Sequence, residues 1–145
     1  IEKEGYEDAF LETQKALAKV RVLKDTLLGV SKKDADAYRE VMKAYKTTKK
    51  DKKRKEKIQK ALKKATLVPL DTAKFTYEDY KHAKLKEKIG NKNAVSDARV
   101  ALYLSKAAIK GAMENVDINL AYIKDEEFIK SVNTETSLVK KIIGK

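Results

Sequence analysis

The chain has 145 residues, a net charge of +12, a single histidine and no cysteine. This composition excludes disulfides, thiolate metal sites, cysteine nucleophiles and a polyhistidine zinc site. No apolar segment reaches the roughly 18 residues of a membrane span and no secretory signal is visible, so we expect a cytoplasmic protein. One proline and five glycines are too few turn-forming residues for a many-stranded protein, and the composition predicts an all-α fold.

The hydrophobic periodicity of the first half predicts three helices. A long helix is expected over residues 7–30 and a second over 34–46, followed by a charged loop or helix start over 49–57. A third helix begins near Ile58 and should be broken or kinked at Pro69, because proline removes a backbone donor. The predicted buried stripes are, in the first helix, Ala16, Val20, Leu23, Leu27 and Val30, and, in the second, Tyr38, Val41, Met42 and Tyr45.

The second half of the sequence predicts two further helices. They follow Gly90 and Asn91, a pair of residues typical of the end of a helix. A helix rich in small residues is expected over residues 94–120, and a last one from its N-cap Asp125 to about Ile143. The last helix has a core stripe of Phe128, Val132, Val139 and Ile142, and His82, in a polar run, is expected to be exposed. We therefore predict one domain over residues 1–145, a bundle of mixed orthogonal and up-down helices.

Asp34 is a candidate for chemistry because it falls within the predicted stripe of the second helix. At 100° per residue it lies within about 40° of Tyr38, Val41 and Tyr45. A carboxylate in an apolar environment is desolvated and takes up a proton more readily, which suits it to proton transfer. The alternative is structural, since Ser31 to Asp34 has the spacing of a capping box.

The helix after Gly90 carries polar residues on a face expected to point inward. Asp97 and Asn115 are five turns apart on a face shared with Val100, Leu104, Ala108 and Gly111, and Asn119 follows one turn later. Buried polar groups are costly when unpaired, so this face predicts either a ligand or a polar network. Capping of the helix ends by Asp97 and the asparagines is the alternative. The turn over residues 90–97 could also present backbone donors to an anion.

These segments resemble one known family. Residues 90–97 are similar to the G-N-x-N-A-x-S-D stretch of formiminotetrahydrofolate cyclodeaminases and methenyltetrahydrofolate cyclohydrolases, and residues 111–120 are similar to their G-A-x-x-N-V-x-I-N-L run. Upstream, residues 34–38, 41–44 and 68–70 resemble the family's D-x-[DE]-A-[FY], V-M-x-A and V-P-L segments. The match runs in order through nearly the whole chain.

The resemblance implies an all-helical dimer that binds a folate in a cleft near the subunit contact. It implies hydrolysis of 5,10-methenyltetrahydrofolate to 10-formyltetrahydrofolate, or cyclisation of 5-formiminotetrahydrofolate with loss of ammonia, with no cofactor or metal beyond the folate. Asp34 matches the family's catalytic aspartate, and the substrate-binding candidates are Asn93, Asp97, Asn115 and Asn119. The lysine-rich surface would then steer folates that carry a polyglutamate tail.

Three points limit this interpretation. The family's P-x-P-G-G-G-S motif is not found, and the first residue is Ile1, so we expect that an N-terminal family segment is missing or processed. An inactive scaffold of the same fold would have the same sequence features. A basic nucleic-acid-binding helical protein is the other alternative, although the run over residues 49–57 contains no aromatic residue for base stacking.

Overall fold

A computed structural model describes the backbone of residues 7–89 and 94–143 and the side chains of residues 10–89 and 94–141. It contains α1 (Glu7–Lys46), α2 (Arg54–Ile89), α3 (Val95–Leu120) and α4 (Glu126–Ile143). The described residues include no β-strand, so the predicted all-α class is confirmed.

Helix α2 lies at the centre of the fold, with α1 on one side and α3 on the other. Helices α1 and α3 do not pack against each other within the described residues, and α4 packs against α2 and α3. Helices α2 and α3 run antiparallel: Gln59 Nε2 donates to the Tyr122 carbonyl at 2.9 Å near one end, and Arg99 pairs with Glu87 at 3.0 Å near the other. The core between α2, α3 and α4 contains Leu62, Leu70, Ala73, Ile109, Val116 and Val132.

Helix α1 is continuous, so the prediction of separate helices over 7–30 and 34–46 is wrong. Residues 31–33 are helical, and no proline or turn signal interrupts them. The side of α1 that packs on α2 carries small residues at multiples of seven positions, as in the seam of a coiled coil. These buried residues are Ala16, Val30, Ala37 and Ala44, with the half-buried Leu23 between the first two.

The predicted stripe of Tyr38, Met42 and Tyr45 is not part of this seam. All three side chains are exposed, and only Val41 of that set packs against the core. The stripe of the first half of α1 is largely confirmed, because Leu23 and Leu27 are half-buried, whereas Val20 is exposed at its edge. Small alanines allow α1 and α2 to approach closely, which leaves the larger residues on the outside.

Pro69 lies inside α2 and is buried, so the predicted break at this position is wrong. Its ring nitrogen cannot donate to the carbonyl of Ala65 four residues earlier. Asn119 of α3 supplies a donor instead, with its Nδ2 3.3 Å from that carbonyl oxygen. Helix α2 therefore continues through the proline with its freed acceptor satisfied.

Helix α4 begins where the sequence analysis predicts. Asp125 Oδ1 accepts a hydrogen bond of 3.0 Å from the Phe128 amide, which confirms Asp125 as the N-cap. Val132 and Val139 are buried and Phe128 packs against the core, as predicted, while the Ile142 side chain is outside the described residues. The predicted cap at Asp97 is wrong, because Ala94 occupies the N-cap position of α3 without a side-chain hydrogen bond.

Candidate functional site

Asp34 lies well inside α1, on a face that α2 leaves open. Leu27, Ser31 and Tyr38 share this face, since they precede or follow Asp34 at steps of three and four residues. Asp34 is exposed and makes no hydrogen bond or ion pair with the described residues, and the Tyr38 side chain is 64% exposed. The capping role is wrong because α1 does not begin there. The stripe around Asp34 exists, but it faces outward, so the predicted desolvation is absent in the single chain.

An open cavity of about 440 Å³ extends this face toward the start of α1. Its lining is mostly apolar and comes from one face of α1 and a single residue of α2: Val20, Lys24, Leu27, Leu28, Ser31 and Asp79. Ser31 belongs to the cavity and lies one turn before Asp34. The candidate active-site surface, here called the α1 groove, is therefore this open face of α1, which has the apolar cavity at one end and Asp34 and Tyr38 one and two turns beyond Ser31.

Asp79 of α2 is a member of this groove that the sequence analysis did not select. Its Oδ1 is buried and has no hydrogen-bond partner among the described residues. Burial raises the pKa of the Asp79 carboxyl, and the neighbouring His82 partly offsets that rise. A signal was present in the sequence, because Asp79 continues the spacing of the buried Ala73 and Thr76. His82 itself is half-buried, so its predicted exposure is wrong.

Another face of α1 borders a charged groove of about 610 Å³ against α2. Arg39 pairs with Asp36 at 2.5 Å and Lys64 of α2 pairs with Glu40 at 2.6 Å. Lys33 and Lys43 also line the groove and have no carboxylate partner among the described residues. This groove therefore carries two uncompensated positive charges and suits an anionic group.

The candidate residues of α3 lie on a different surface. Asp97 and Asn115 are exposed, and with 18 residues between them they are about 27 Å apart along the helix axis. They share a face, as predicted, but they cannot contact the same small group within one chain. The face is exposed in the single chain, so its predicted inward orientation is wrong. Asn119 is half-buried and donates a hydrogen bond to the Ala65 carbonyl. Asn93 lies outside the described residues.

Asp34 and the α3 residues are not brought together within the chain, because α2 separates their helices. Both surfaces are apolar and uncovered. On α3, Val100, Leu104 and Ile118 are 54%, 65% and 61% exposed, and Gly111 between them has no atom within 4 Å of an added Cβ. Contiguous exposed apolar patches of this kind mark interaction surfaces.

The basic run over residues 49–57 is partly organised by its own contacts. Arg54 Nε donates to the Thr47 carbonyl at 2.9 Å and its Nη2 to the Tyr45 carbonyl at 3.1 Å, which satisfies acceptors at the end of α1. Lys57 pairs with Asp51 at 2.8 Å. Asp51 accepts hydrogen bonds from the Lys57 side chain and from the Lys53 amide, and these bonds hold the pKa of Asp51 below its usual range. Much of the run therefore closes the α1–α2 turn, which weakens the nucleic-acid alternative.

The described residues contain no group of three or more His, Cys, Asp or Glu side chains that could hold a metal ion. None of their helices is long and apolar enough to cross a membrane.

Comparison with known proteins identifies the family. A formiminotransferase-cyclodeaminase family profile matches residues 1–138. The methenyltetrahydrofolate cyclohydrolase of Methylorubrum extorquens is 36% identical over 132 residues, which cover 88% of this chain and 64% of that protein. The formimidoyltransferase-cyclodeaminase of Dictyostelium discoideum is 33% identical over 108 residues, 74% of this chain and 20% of that protein.

A solved structure extends the similarity to the fold. The formiminotetrahydrofolate cyclodeaminase of Thermotoga maritima superposes with a TM-score of 0.89 at 32% identity. The superposition covers 99% of this chain and 69% of that one, so the chain spans about two thirds of the length of these two relatives. The chain belongs to the formiminotransferase-cyclodeaminase family.

Proposed function

We propose that this chain is an enzyme of one-carbon folates. It either hydrolyses 5,10-methenyltetrahydrofolate to 10-formyltetrahydrofolate or converts 5-formiminotetrahydrofolate to the methenyl form with release of ammonia. Family membership over residues 1–138 carries the proposal, together with the exposed carboxylate of Asp34 in the α1 groove, which has no ion-pair partner among the described residues. Hydrolysis is the first choice, because the Methylorubrum extorquens relative, which matches 88% of this chain, is a methenyltetrahydrofolate cyclohydrolase.

In the hydrolysis, Asp34 acts as a general base and then as a general acid. Its carboxylate stabilises the cationic methenyl bridge and takes a proton from a water molecule, whose oxygen bonds to the bridging carbon. Asp34 then returns this proton to N5 as the carbon–N5 bond breaks, and the hydroxyl proton of the tetrahedral intermediate passes to solvent, which leaves a formyl group on N10. One proton is released overall, and no cofactor beyond the folate is required.

In the cyclisation, the same carboxylate acts first as the acid. N10 attacks the formimino carbon and its proton passes to the imino nitrogen, so the tetrahedral intermediate carries an amino group. Proton transfer from Asp34 to that amino group allows it to leave as ammonia, and the five-membered methenyl ring remains. Both reactions need one proton-transferring group beside the same carbon, so Asp34 could serve either.

The active unit in this proposal is a homodimer with the folate near the subunit contact. Two uncovered apolar surfaces support it, the α1 groove and the α3 face of Val100, Leu104 and Ile118. A contact that joins these surfaces would bring Asp34 of one chain toward Asn115 of the partner subunit, which α2 prevents within one chain. Asn93 and Asp97 remain proposed substrate contacts, whereas the bond from Asn119 to Ala65 supports a structural role.

The charged groove on the other face of α1 supports a place for the folate tail. Lys33 and Lys43 have no carboxylate partner among the described residues and lie ten positions apart, about 15 Å along the helix. A polyglutamate tail carries several carboxylates that could pair with both. We propose a cytoplasmic location for the enzyme and one helical domain over residues 1–145, as the sequence analysis predicts.

The experiment that tests the function compares three proteins on 5,10-methenyltetrahydrofolate: the wild type, Asp34→Asn and Asp71→Asn. Asp71 is a matched control because it is an exposed aspartate on a helix, α2, and lines neither groove. We expect Asp34→Asn to lose roughly a hundred-fold or more in kcat, as for removal of a general acid–base group, and Asp71→Asn to retain its rate. Ammonia release from 5-formiminotetrahydrofolate is measured on the same proteins.

The outcomes separate the alternatives. Loss of both activities in Asp34→Asn alone establishes the function and the residue. Turnover that is equal in the wild type and Asp34→Asn would reject Asp34 as the acid–base group. A wild type that turns over neither folate would indicate an inactive scaffold of the same fold.

A further inference from the structure

Asp79 lines the apolar cavity beside α1. Its Oδ1 is shielded from solvent and has no hydrogen-bond partner among the described residues, and the side chains of Val20, Leu27 and Leu28 line the same cavity. Lys24 also lines the cavity, but its ammonium pairs with Asp25 at 3.5 Å in an exposed position. The cavity thus combines an apolar wall with one acceptor whose hydrogen-bonding capacity is unused among the described residues.

We propose that Asp79 binds the pterin ring of the substrate through its ring N3–H and its 2-amino group. These two adjacent donors match the two oxygens of a carboxylate in a bidentate arrangement. The flat bicyclic ring has apolar faces that fit against Leu27 and Leu28, of which Leu28 is 68% exposed. The inference rests on the proposed function, because the pterin is the part of the folate that carries these donors.

The position of the cavity along α1 fits this arrangement. Ser31 lines the cavity and Asp34 follows it after three residues, about 4.5 Å along the helix axis. In this proposal the N5 side of a ring held at Asp79, with the one-carbon group attached there, faces along the α1 groove toward Asp34. Asp79 acts as a binding and orienting residue, and Asp34 performs the proton transfer.

The carboxyl of Asp79 also provides a readout that a purely structural residue would not. Burial raises its pKa in the free protein. Hydrogen bonds from the pterin stabilise the ionised form, so the pKa of Asp79 should fall when a pterin binds and protons should be released at acidic pH. A carboxyl outside the binding site would keep the same pKa with and without the ligand.

The test measures dissociation constants for 5-formyltetrahydrofolate and for 4-aminobenzoyl-glutamate, which has the tail but no pterin. The proteins are the wild type, Asp79→Asn and the matched control Asp71→Asn, an exposed aspartate two turns earlier on α2. We expect Asp79→Asn to bind 5-formyltetrahydrofolate roughly ten-fold or more weakly and 4-aminobenzoyl-glutamate unchanged. Asp71→Asn should match the wild type for both ligands.

Folding of the variant is checked by its denaturant midpoint. At neutral pH, Asp79→Asn should unfold at a higher denaturant concentration than the wild type, because it removes a charge that burial penalises, so weaker binding cannot be assigned to unfolding. Equal binding of 5-formyltetrahydrofolate by the wild type and Asp79→Asn would overturn the role of Asp79 alone. A wild type that binds no folate would overturn the proposed function together with this inference.

Discussion

The side-chain amide of Asn119, on α3, donates a hydrogen bond of 3.3 Å to the carbonyl oxygen of Ala65, on α2. Pro69 has no N–H, so this carbonyl lacks the donor that an α-helix normally provides four residues later. Asn119 therefore replaces the missing helical bond and joins α3 to α2 at the same point. An asparagine that the sequence indicated as a substrate ligand is here a part of the fold.

Asn119→Ala should destabilise the protein by about 1–3 kcal/mol, the usual cost of an unsatisfied buried acceptor. The free energy of unfolding, from denaturant titration, measures this change. The same substitution in a Pro69→Ala background provides the control, because an alanine at position 69 restores the backbone donor. The cost of losing Asn119 should then be clearly smaller. Equal costs in both backgrounds would contradict the link between Asn119 and Pro69.

The alanine seam of α1 leads to a second prediction. Ala37 is buried against α2, whereas Ala35 is exposed two residues earlier on the same helix. Ala37→Leu should force the helices apart and destabilise the protein by about 1–3 kcal/mol. Ala35→Leu should change the free energy of unfolding by no more than about 0.5 kcal/mol. Similar effects of the two substitutions, measured by denaturant titration, would place the α1–α2 contact on another face.

These alanines also show why part of the fold could not be predicted from the sequence. The stripe of α4 was identified correctly within the described residues, because branched apolar residues such as Val132 and Val139 mark its buried side. In α1 the buried side is marked by alanines, and Tyr38 and Tyr45 gave a stronger apolar signal on the open side. Periodicity measures where apolar residues lie, and it does not tell whether the chain's own core or another surface covers them.

The cap of α4 gives a prediction on pH. The hydrogen bond from Lys63, and then that from the Phe128 amide, hold the pKa of Asp125 below its ordinary value of 3.8. A lowered pKa in the folded state adds stability above the unfolded pKa, and this stability is lost as the pH falls through the folded value. The wild type should therefore exceed Asp125→Ala in denaturant midpoint at neutral pH, and the difference should shrink below pH 3.8.

Lys63→Met provides the matched background for this measurement. It removes the largest cause of the lowered pKa but keeps the bond from the Phe128 amide. The pH-dependent part of the Asp125 effect should become smaller without disappearing. A difference between the wild type and Asp125→Ala that stays constant at acidic pH would show that Asp125 acts only through packing.

The candidate site shows the same division between what sequence spacing can and cannot tell. Asp34 was selected from its stripe and from the family resemblance, and it lies exposed on the open face of α1, so its catalytic role stays a prediction. Asp97 and Asn115 were selected because they share a face, but 18 residues of helix separate them by about 27 Å. Asp79 was missed: its spacing from Ala73 and Thr76 places it on the buried side of α2, but only the structure shows that this part of α2 meets α1 at an open cavity.

The last prediction concerns the α3 face. Leu104 is 65% exposed in the single chain, so Leu104→Glu should leave the helical fold intact. If this face forms the dimer contact, the new carboxylate would be buried without a partner and the protein should become monomeric. Light scattering gives the mass in solution and circular dichroism the helix content.

Leu138→Glu is the matched control, since Leu138 is 62% exposed on α4, and this variant should remain dimeric. A Leu104→Glu protein with the same dimeric mass as the wild type would exclude α3 as the contact surface and leave the α1 groove as the other candidate.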